Sequence, residues 1–163
     1  MADTPDLENR LYLELDHGRV VIDLRPDLAP NHVARIKELA REGYYDGIVF
    51  HRVIADFMAQ TGCPKGNGTG GSGKKLKAEF SDAPHIRGTC SMARTADPNS
   101  ADSQWFICFG TTPHLNGQYT VWGQVVDGME AVDKIKKGSG GNGAVNDPDR
   151  ILSLSVAADK EAA

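Results

Sequence analysis

The strongest constraint on the fold is a rhythm: short strand-like segments broken by glycine follow one another, and the two helical stretches lie far apart. Leu11, Leu13 and Leu15 alternate with Tyr12 and Glu14, and Val20, Ile22 and Leu24 alternate with Val21 and Asp23. Period-two runs on either side of the turn Asp16-His17-Gly18-Arg19 predict an antiparallel hairpin. Further strands are expected over Gly47–Ile54, Phe57–Gln60, Trp105–Phe109, Tyr119–Val126 and Ile151–Val156, which are rich in β-branched and aromatic residues. In the last of these, Leu152, Leu154 and Val156 share a face. A helix is expected from Pro30 to a stop at Gly43, with the apolar stripe Val33, Ile36, Leu39 and Ala40. A second opens at Asp127, with Glu130 placed as in a capping box, carries Met129, Val132 and Ile135, and closes at Gly138. Gly138–Gly143 reads as a mobile loop. Without strand–helix–strand alternation, the pattern predicts a mainly β fold, an antiparallel sheet closed into a barrel with the helices outside.

Neither an internal repeat nor a linker divides the 163 residues, so 1–163 are expected to form one domain. A chain of this size hides roughly two thirds of its unfolded surface and needs no staple. Cys63, Cys90 and Cys108 are widely spaced and odd in number, which predicts reduced thiols rather than disulfides or a zinc site. No apolar run approaches the ~20 residues of a membrane span. The acidic start Met1-Ala2-Asp3-Thr4-Pro5-Asp6 lacks the regions of a signal peptide, so a soluble cytoplasmic protein is expected. Eighteen Lys and Arg against 22 Asp and Glu leave a net charge of −4, against the positive surplus of a nucleic-acid binder.

Several tempting motifs fail on context. Gly66-x-Gly68-x-x-Gly71 matches the dinucleotide fingerprint, but no helical stripe follows it. Gly68-x-x-x-x-Gly73-Lys74 approaches a phosphate loop, but Lys75 stands where a Ser or Thr must reach magnesium. No serine occupies a nucleophile elbow, and His51, flanked by Phe50, Arg52 and Val53, reads as a hydrogen-bonded core histidine. No metal and no cofactor are expected.

The segment Phe50-His51-Arg52-Val53-Ile54-Ala55-Asp56-Phe57-Met58-Ala59-Gln60 is different. In strand geometry Arg52 falls between Phe50 and Ile54 on one face, with His51 and Val53 on the other. A guanidinium among apolar side chains either reaches solvent or a surface carboxylate, or serves a site. Together with Phe57, Met58 and Gln60 it suits an apolar groove holding one fixed cation and one amide.

These residues resemble the cyclophilins, the peptidyl-prolyl cis-trans isomerases, and the resemblance runs from about Leu11 to Val156. The family's Phe-His-Arg-Val-Ile, x-x-Phe-Met-x-Gln core is met by Phe50–Gln60, and its glycine loop by Gly66–Gly73. Ser91-Met92-Ala93, Ser103-Gln104-Trp105-Phe106-Ile107, Leu115-Asn116-Gly117 and Val121-Trp122-Gly123-Gln124-Val125 meet its later motifs. The resemblance implies a closed eight-stranded antiparallel barrel flanked by two α-helices, with a shallow groove on its outer wall. It implies an isomerase that assists folding, or alternatively a module or chaperone that binds proline segments and whose turnover is incidental. Arg52 then resembles the catalytic arginine. Phe57, Met58, Phe106 and Leu115 resemble the apolar walls of the proline pocket, and Gln60 the residue that orients the substrate backbone. Gly68, Gln104, His114 and Tyr119 fall on groove positions, and Ala93-Arg94-Thr95 on the edge that pairs with an extended substrate. Three departures stand out. One extra residue lies between Met92 and Gln104, which leaves the register of Arg94, Thr95 and Ala96 open. His114 replaces a tryptophan associated with tight cyclosporin binding, so weak cyclosporin binding is expected. Tyr119 stands where many members have histidine. The expected partners are proline-containing polypeptides, met by a monomer, with neither nucleic acid nor membrane involved.

Overall fold

A computed structural model describes residues 7–139 and 143–161. The chain enters through a 3-10 turn, Leu7–Asn9, into β1 (Arg10–Leu15) and β2 (Gly18–Leu24), paired with Leu13 opposite Val20 and Leu15 opposite Gly18. The alternating leucines, Val20 and Ile22 are buried, as period two requires. Helix α1 spans Pro30–Arg41, with proline in its first turn and Gly43 just beyond it at φ 72°. Then come β3 (Arg52–Ile54), β4 (Met58–Thr61), β5 (Thr89–Met92), β6 (Trp105–Cys108), a 3-10 turn at Pro113–Leu115, β7 (Val121–Asp127), α2 (Met129–Asp133), β8 (Ser153–Val156) and α3 (Ala157–Glu161).

The eight strands form one antiparallel sheet in the order β3-β4-β6-β5-β7-β2-β1-β8. Among the described residues no ladder joins β8 back to β3, so the sheet is an open half-barrel rather than the closed barrel expected. Isolated bridges stitch the two edges, Val49 to Arg150 and Arg52 to Ala144, helped by Phe50 N–H donating to Asp149 O at 2.9 Å. The cause is local. Of the strand expected over 47–54, residues 47–51 run irregularly after Gly47 (φ 82°), and only Arg52–Ile54 form β3. The described residues also hold three α-helices, not two, because α3 follows β8 without a break. The expected capping box is not formed. Asp127 ends β7, Gly128 adopts a left-handed conformation, and its N–H donates to the Asp127 carboxylate at 3.0 Å. Leu152 precedes β8 and is 52% exposed, so it does not share the inner face with Leu154 and Val156. Of the glycine loop expected at 138–143, residues 140–142 lie outside the described residues.

Inside the sheet, the Trp105 ring meets Trp122 at 5.4 Å and Tyr45 at 5.9 Å, each edge-on. The Tyr45 hydroxyl donates to Ser103 O at 2.9 Å, which satisfies its one polar atom. The three thiols are free and buried, in agreement with reduced cysteines.

Helix α1 has no cap from its own neighbours; Glu79 supplies one from a distant loop. Its carboxylate accepts the N–H groups of Asn31 at 3.3 Å and His32 at 2.9 Å, and lies 2.6 Å from His32 Nδ1. The His32 ring is fully buried and its Nε2 has no hydrogen-bond partner. Burial holds its pKa below the ordinary value, against the opposing pull of Glu79, and burial likewise lowers His51 and His85. A depressed folded-state pKa means that the unfolded chain takes up protons first as the pH falls below the ordinary 6.5. The unfolding free energy from urea titration is therefore expected to decrease from pH 7.5 to pH 5.5. A constant or rising value over that interval would contradict neutral burial of these rings.

Candidate active site

The pleat of three neighbouring strands builds the site. Ala59, Thr61, Trp105 and Ile107 point inward, so Met58, Gln60, Phe106 and Cys108 point outward. The register sets Arg52 beside Gln60 and Gln60 beside Phe106 in one row, and Ile54 beside Met58 and Met58 beside Cys108 in the next. Met58, Phe106, Cys108 and Leu115 thereby form a second apolar cluster outside the main core, flanked by Ile54, Phe57, Ala93 and Tyr119. Leu115 arrives on the 3-10 turn, and Phe57 on the hairpin between β3 and β4, whose N–H donates to Ile54 O at 3.0 Å. Over this cluster lies a groove of about 300 Å³, walled by Phe57, Met58, Phe106, Leu115 and Tyr119, with Arg52 and Gln60 on its border. Phe50, expected beside Arg52, is instead fully buried in the main core. It precedes β3, where strand alternation does not yet hold.

A polar chain runs along the border. Arg52 Nη1 donates to Gln60 Oε1 at 3.1 Å, and Gln60 Nε2 donates to Gln104 Oε1 at 3.0 Å. Gln104 Nε2 in turn donates to the carbonyls of Gly68 and Gly70, at 2.9 and 3.0 Å. The glycine loop is anchored from beneath, where Cys63 Sγ accepts the N–H groups of Gly68 at 3.3 Å and Gly70 at 3.2 Å. Burial works to raise the Cys63 thiol, yet the N–H groups of Asn67, Gly70, Lys65 and Gly68 bring it below its ordinary value. Each side chain in this series fixes the next, so the Arg52 guanidinium is oriented before any ligand arrives.

His51 is not the hydrogen-bonded core residue that was expected. It lines the groove beside Gly68, half-buried, and its buried Nδ1 has no hydrogen-bond partner. Burial, and then the charge of Arg52, depress its pKa. Tyr119 meets Phe106 edge-on at 5.9 Å. His114 is exposed and leans on Phe57 with ring centres 5.5 Å apart, outside the groove wall. Ala93 and Arg94 lie where the groove opens into a second cavity, while Thr95 and Gln104 line only that second cavity. The Ala93 N–H is engaged with Gln104 O at 3.0 Å.

One supporting residue went unread in the sequence. His85 is fully buried and its ring stacks behind Phe106 at 6.3 Å. Its backbone N–H donates to Asn116 Oδ1 at 2.7 Å, its Nδ1 lies 3.1 Å from the same oxygen, and its Nε2 lies 2.9 Å from Ser91 Oγ. It ties the turn that carries Leu115 to β5. A lone histidine in a stretch without period offers no signal for such a role. Among the described residues no group of three His, Cys, Asp or Glu is arranged to hold a metal.

Comparison with known proteins fits this geometry. The family model described as cyclophilin type peptidyl-prolyl cis-trans isomerase/CLD matches residues 10–156. A probable peptidyl-prolyl cis-trans isomerase of Brucella suis biovar 1 is 57% identical over 171 residues, covering 97% of this chain and 87% of the relative. Peptidyl-prolyl cis-trans isomerase B of Bacillus subtilis is 43% identical over 129 residues, 78% of this chain and 90% of its own. The crystal structure of cyclophilin AquaCyp293 from Hirschia baltica superposes with a TM-score of 0.85 at 27% identity, over 96% of this chain and 77% of that one. A cyclophilin type isomerase of Cryptosporidium parvum, crystallised in the presence of the dipeptide ala-pro, superposes with a TM-score of 0.83 at 28% identity, over 90% and 98% of the two chains.

Proposed function

This chain belongs to the cyclophilin-type peptidyl-prolyl cis-trans isomerases, and from that premise we propose that the outer groove holds the proline of an X-Pro segment while Arg52 promotes rotation of the preceding peptide bond. Resonance holds that bond planar behind a barrier of ~18–20 kcal/mol, and uncatalysed isomerisation takes tens to hundreds of seconds. No covalent bond breaks, so neither a nucleophile nor a base is required. At the twisted midpoint the prolyl nitrogen regains its lone pair and accepts a hydrogen bond. A donor aimed there stabilises the midpoint more than either planar state, which is the condition for acceleration. Arg52, permanently charged and held by Gln60, supplies that donor.

The other roles follow the same geometry. Phe57, Met58, Phe106 and Leu115 enclose the pyrrolidine ring and exclude competing water, and Tyr119 closes the far wall. Gln60 orients the substrate backbone as well as the guanidinium. Gln104 and the Gly68 carbonyl hold Gln60 in place, and Ala93-Arg94-Thr95 forms the edge along which the substrate runs. The substrates are proline-containing polypeptides, met by a monomer in the cytoplasm without metal or cofactor. The observation that carries this reading is the juxtaposition of an oriented guanidinium with an apolar cluster built on the outside of the sheet.

A protease-coupled assay with an Ala-Pro test peptide examines it: the purified protein is expected to accelerate cis-to-trans conversion. Affinity for the peptide without acceleration would favour a binding module instead. Cyclosporin in the same assay is expected to inhibit weakly, because the exposed imidazole of His114 replaces the tryptophan associated with tight binding. Nanomolar inhibition would contradict that expectation.

A further inference from the structure

The proline groove continues into a second cavity of about 260 Å³, and the two share Gln60, Gly68, Ala93 and Arg94. In an extended chain the side chains of residues i and i+2 point the same way, roughly 6.5–7 Å apart. A peptide whose proline fills the first cavity therefore delivers the side chain two residues away towards the second. The charge there is uneven. Lys75 and Arg94 line this cavity, and Asp102 is the one carboxylate among the residues that line it. Neutral donors orient that carboxylate and leave its charge in place: one oxygen accepts the N–H and the hydroxyl of Ser72, and the other accepts the N–H of Gly73 at 3.0 Å, so two cations face one anion in this lining. Arg94 is held by neutral groups. Its Nε and Nη2 donate to Gln118 O at 3.0 and 2.7 Å, its Nη1 donates to Thr95 O at 2.9 Å, and its guanidinium lies 4.6 Å from the centre of the Tyr119 ring. Carbonyl oxygens and a ring face orient a guanidinium without cancelling its charge. Asp97, on the neighbouring loop, does not line the cavity, and its carboxylate accepts the N–H of Asn99. The whole chain carries −4, so this positive mouth runs against the average charge of the protein.

We infer that the second cavity selects an acidic side chain two residues from the proline, with Lys75 and Arg94 as the specificity-determining residues. The inference rests on the isomerase reading of the first cavity. Lys75 is exposed and Arg94 half-buried, so the attraction is graded and sensitive to salt rather than absolute.

The test compares kcat/KM for matched peptides carrying Asp or Lys two residues before the proline, and Asp or Lys two residues after it, with alanine elsewhere. At one of these positions Asp is expected to exceed Lys by roughly three- to tenfold at low ionic strength. The ratio should approach one above about 0.5 M salt, and it should shrink or invert in K75E and shrink in R94Q. Equal turnover of the Asp and Lys peptides at both positions overturns the inference, as does a ratio that neither substitution changes. Failure to turn over any of the peptides would instead overturn the isomerase reading.

Discussion

Arg52→Ala is expected to lower kcat/KM for an Ala-Pro peptide by one to three orders of magnitude while leaving the melting temperature nearly unchanged. Loss of one preorganised donor at the point where a lone pair develops costs roughly 2–4 kcal/mol of transition-state stabilisation. The stability cost is small because Arg52 lies outside the main core and faces the groove. Arg52→Lys keeps the charge but loses the planar fork that Gln60 holds at 3.1 Å, so its rate should fall between the two. The peptide Kd should change much less than the rate, since the walls that grip proline are Phe57, Met58, Phe106 and Leu115. An Arg52→Ala protein that isomerises at the wild-type rate would remove the proposed catalyst. Equal losses in binding and rate would make Arg52 a ligand-holding residue instead.

The site was legible in the sequence to the extent that its residues obey strand alternation. Arg52 and Ile54 share a face with Met58 and Gln60 because β3 and β4 are regular and adjacent in the chain. The same rule misplaced Phe50, which lies before β3 where the chain bends into the core. Strand β5 gave no periodic signal because all four of its residues are buried. Its Thr89 and Ser91 are accommodated by bonds to Gln124 and to the Thr120 carbonyl, both far away in the chain, and to His85, six residues before Ser91. The supporting shell was illegible for the same reason. Gln104 grips the glycine loop across 36 residues and His85 meets Asn116 across 31, and pairings at that range leave no local pattern. The ends of the sheet were misread because closure depends on residues 47–51, whose β-branched and aromatic content suggested a strand that the backbone does not form.

Gly62→Ala is expected to be the most damaging small substitution near the site, destabilising the fold by about 3–5 kcal/mol. Gly62 has φ 96°, and a Cβ added there would meet Ser103 O at 2.3 Å and Gln104 Cα at 2.8 Å. Neither atom is free to retreat. Ser103 O accepts the buried Tyr45 hydroxyl at 2.9 Å, and the Ser103 hydroxyl donates to Gly62 O at 2.7 Å. The methyl group must therefore push β4 from β6 at the point where Gln104 enters the site, and protein that still folds should also lose activity through a displaced Gln104. Gly47→Ala provides the control, because Gly47 has a similar φ of 82° but nothing within 4 Å of its added Cβ. Its expected cost is the conformational strain alone, about 1 kcal/mol. Urea unfolding of both variants separates the two contributions. If Gly62→Ala proved no more costly than Gly47→Ala, the close approach of these backbones would not be what secures Gln104 beside Gln60 and, through it, the guanidinium of Arg52.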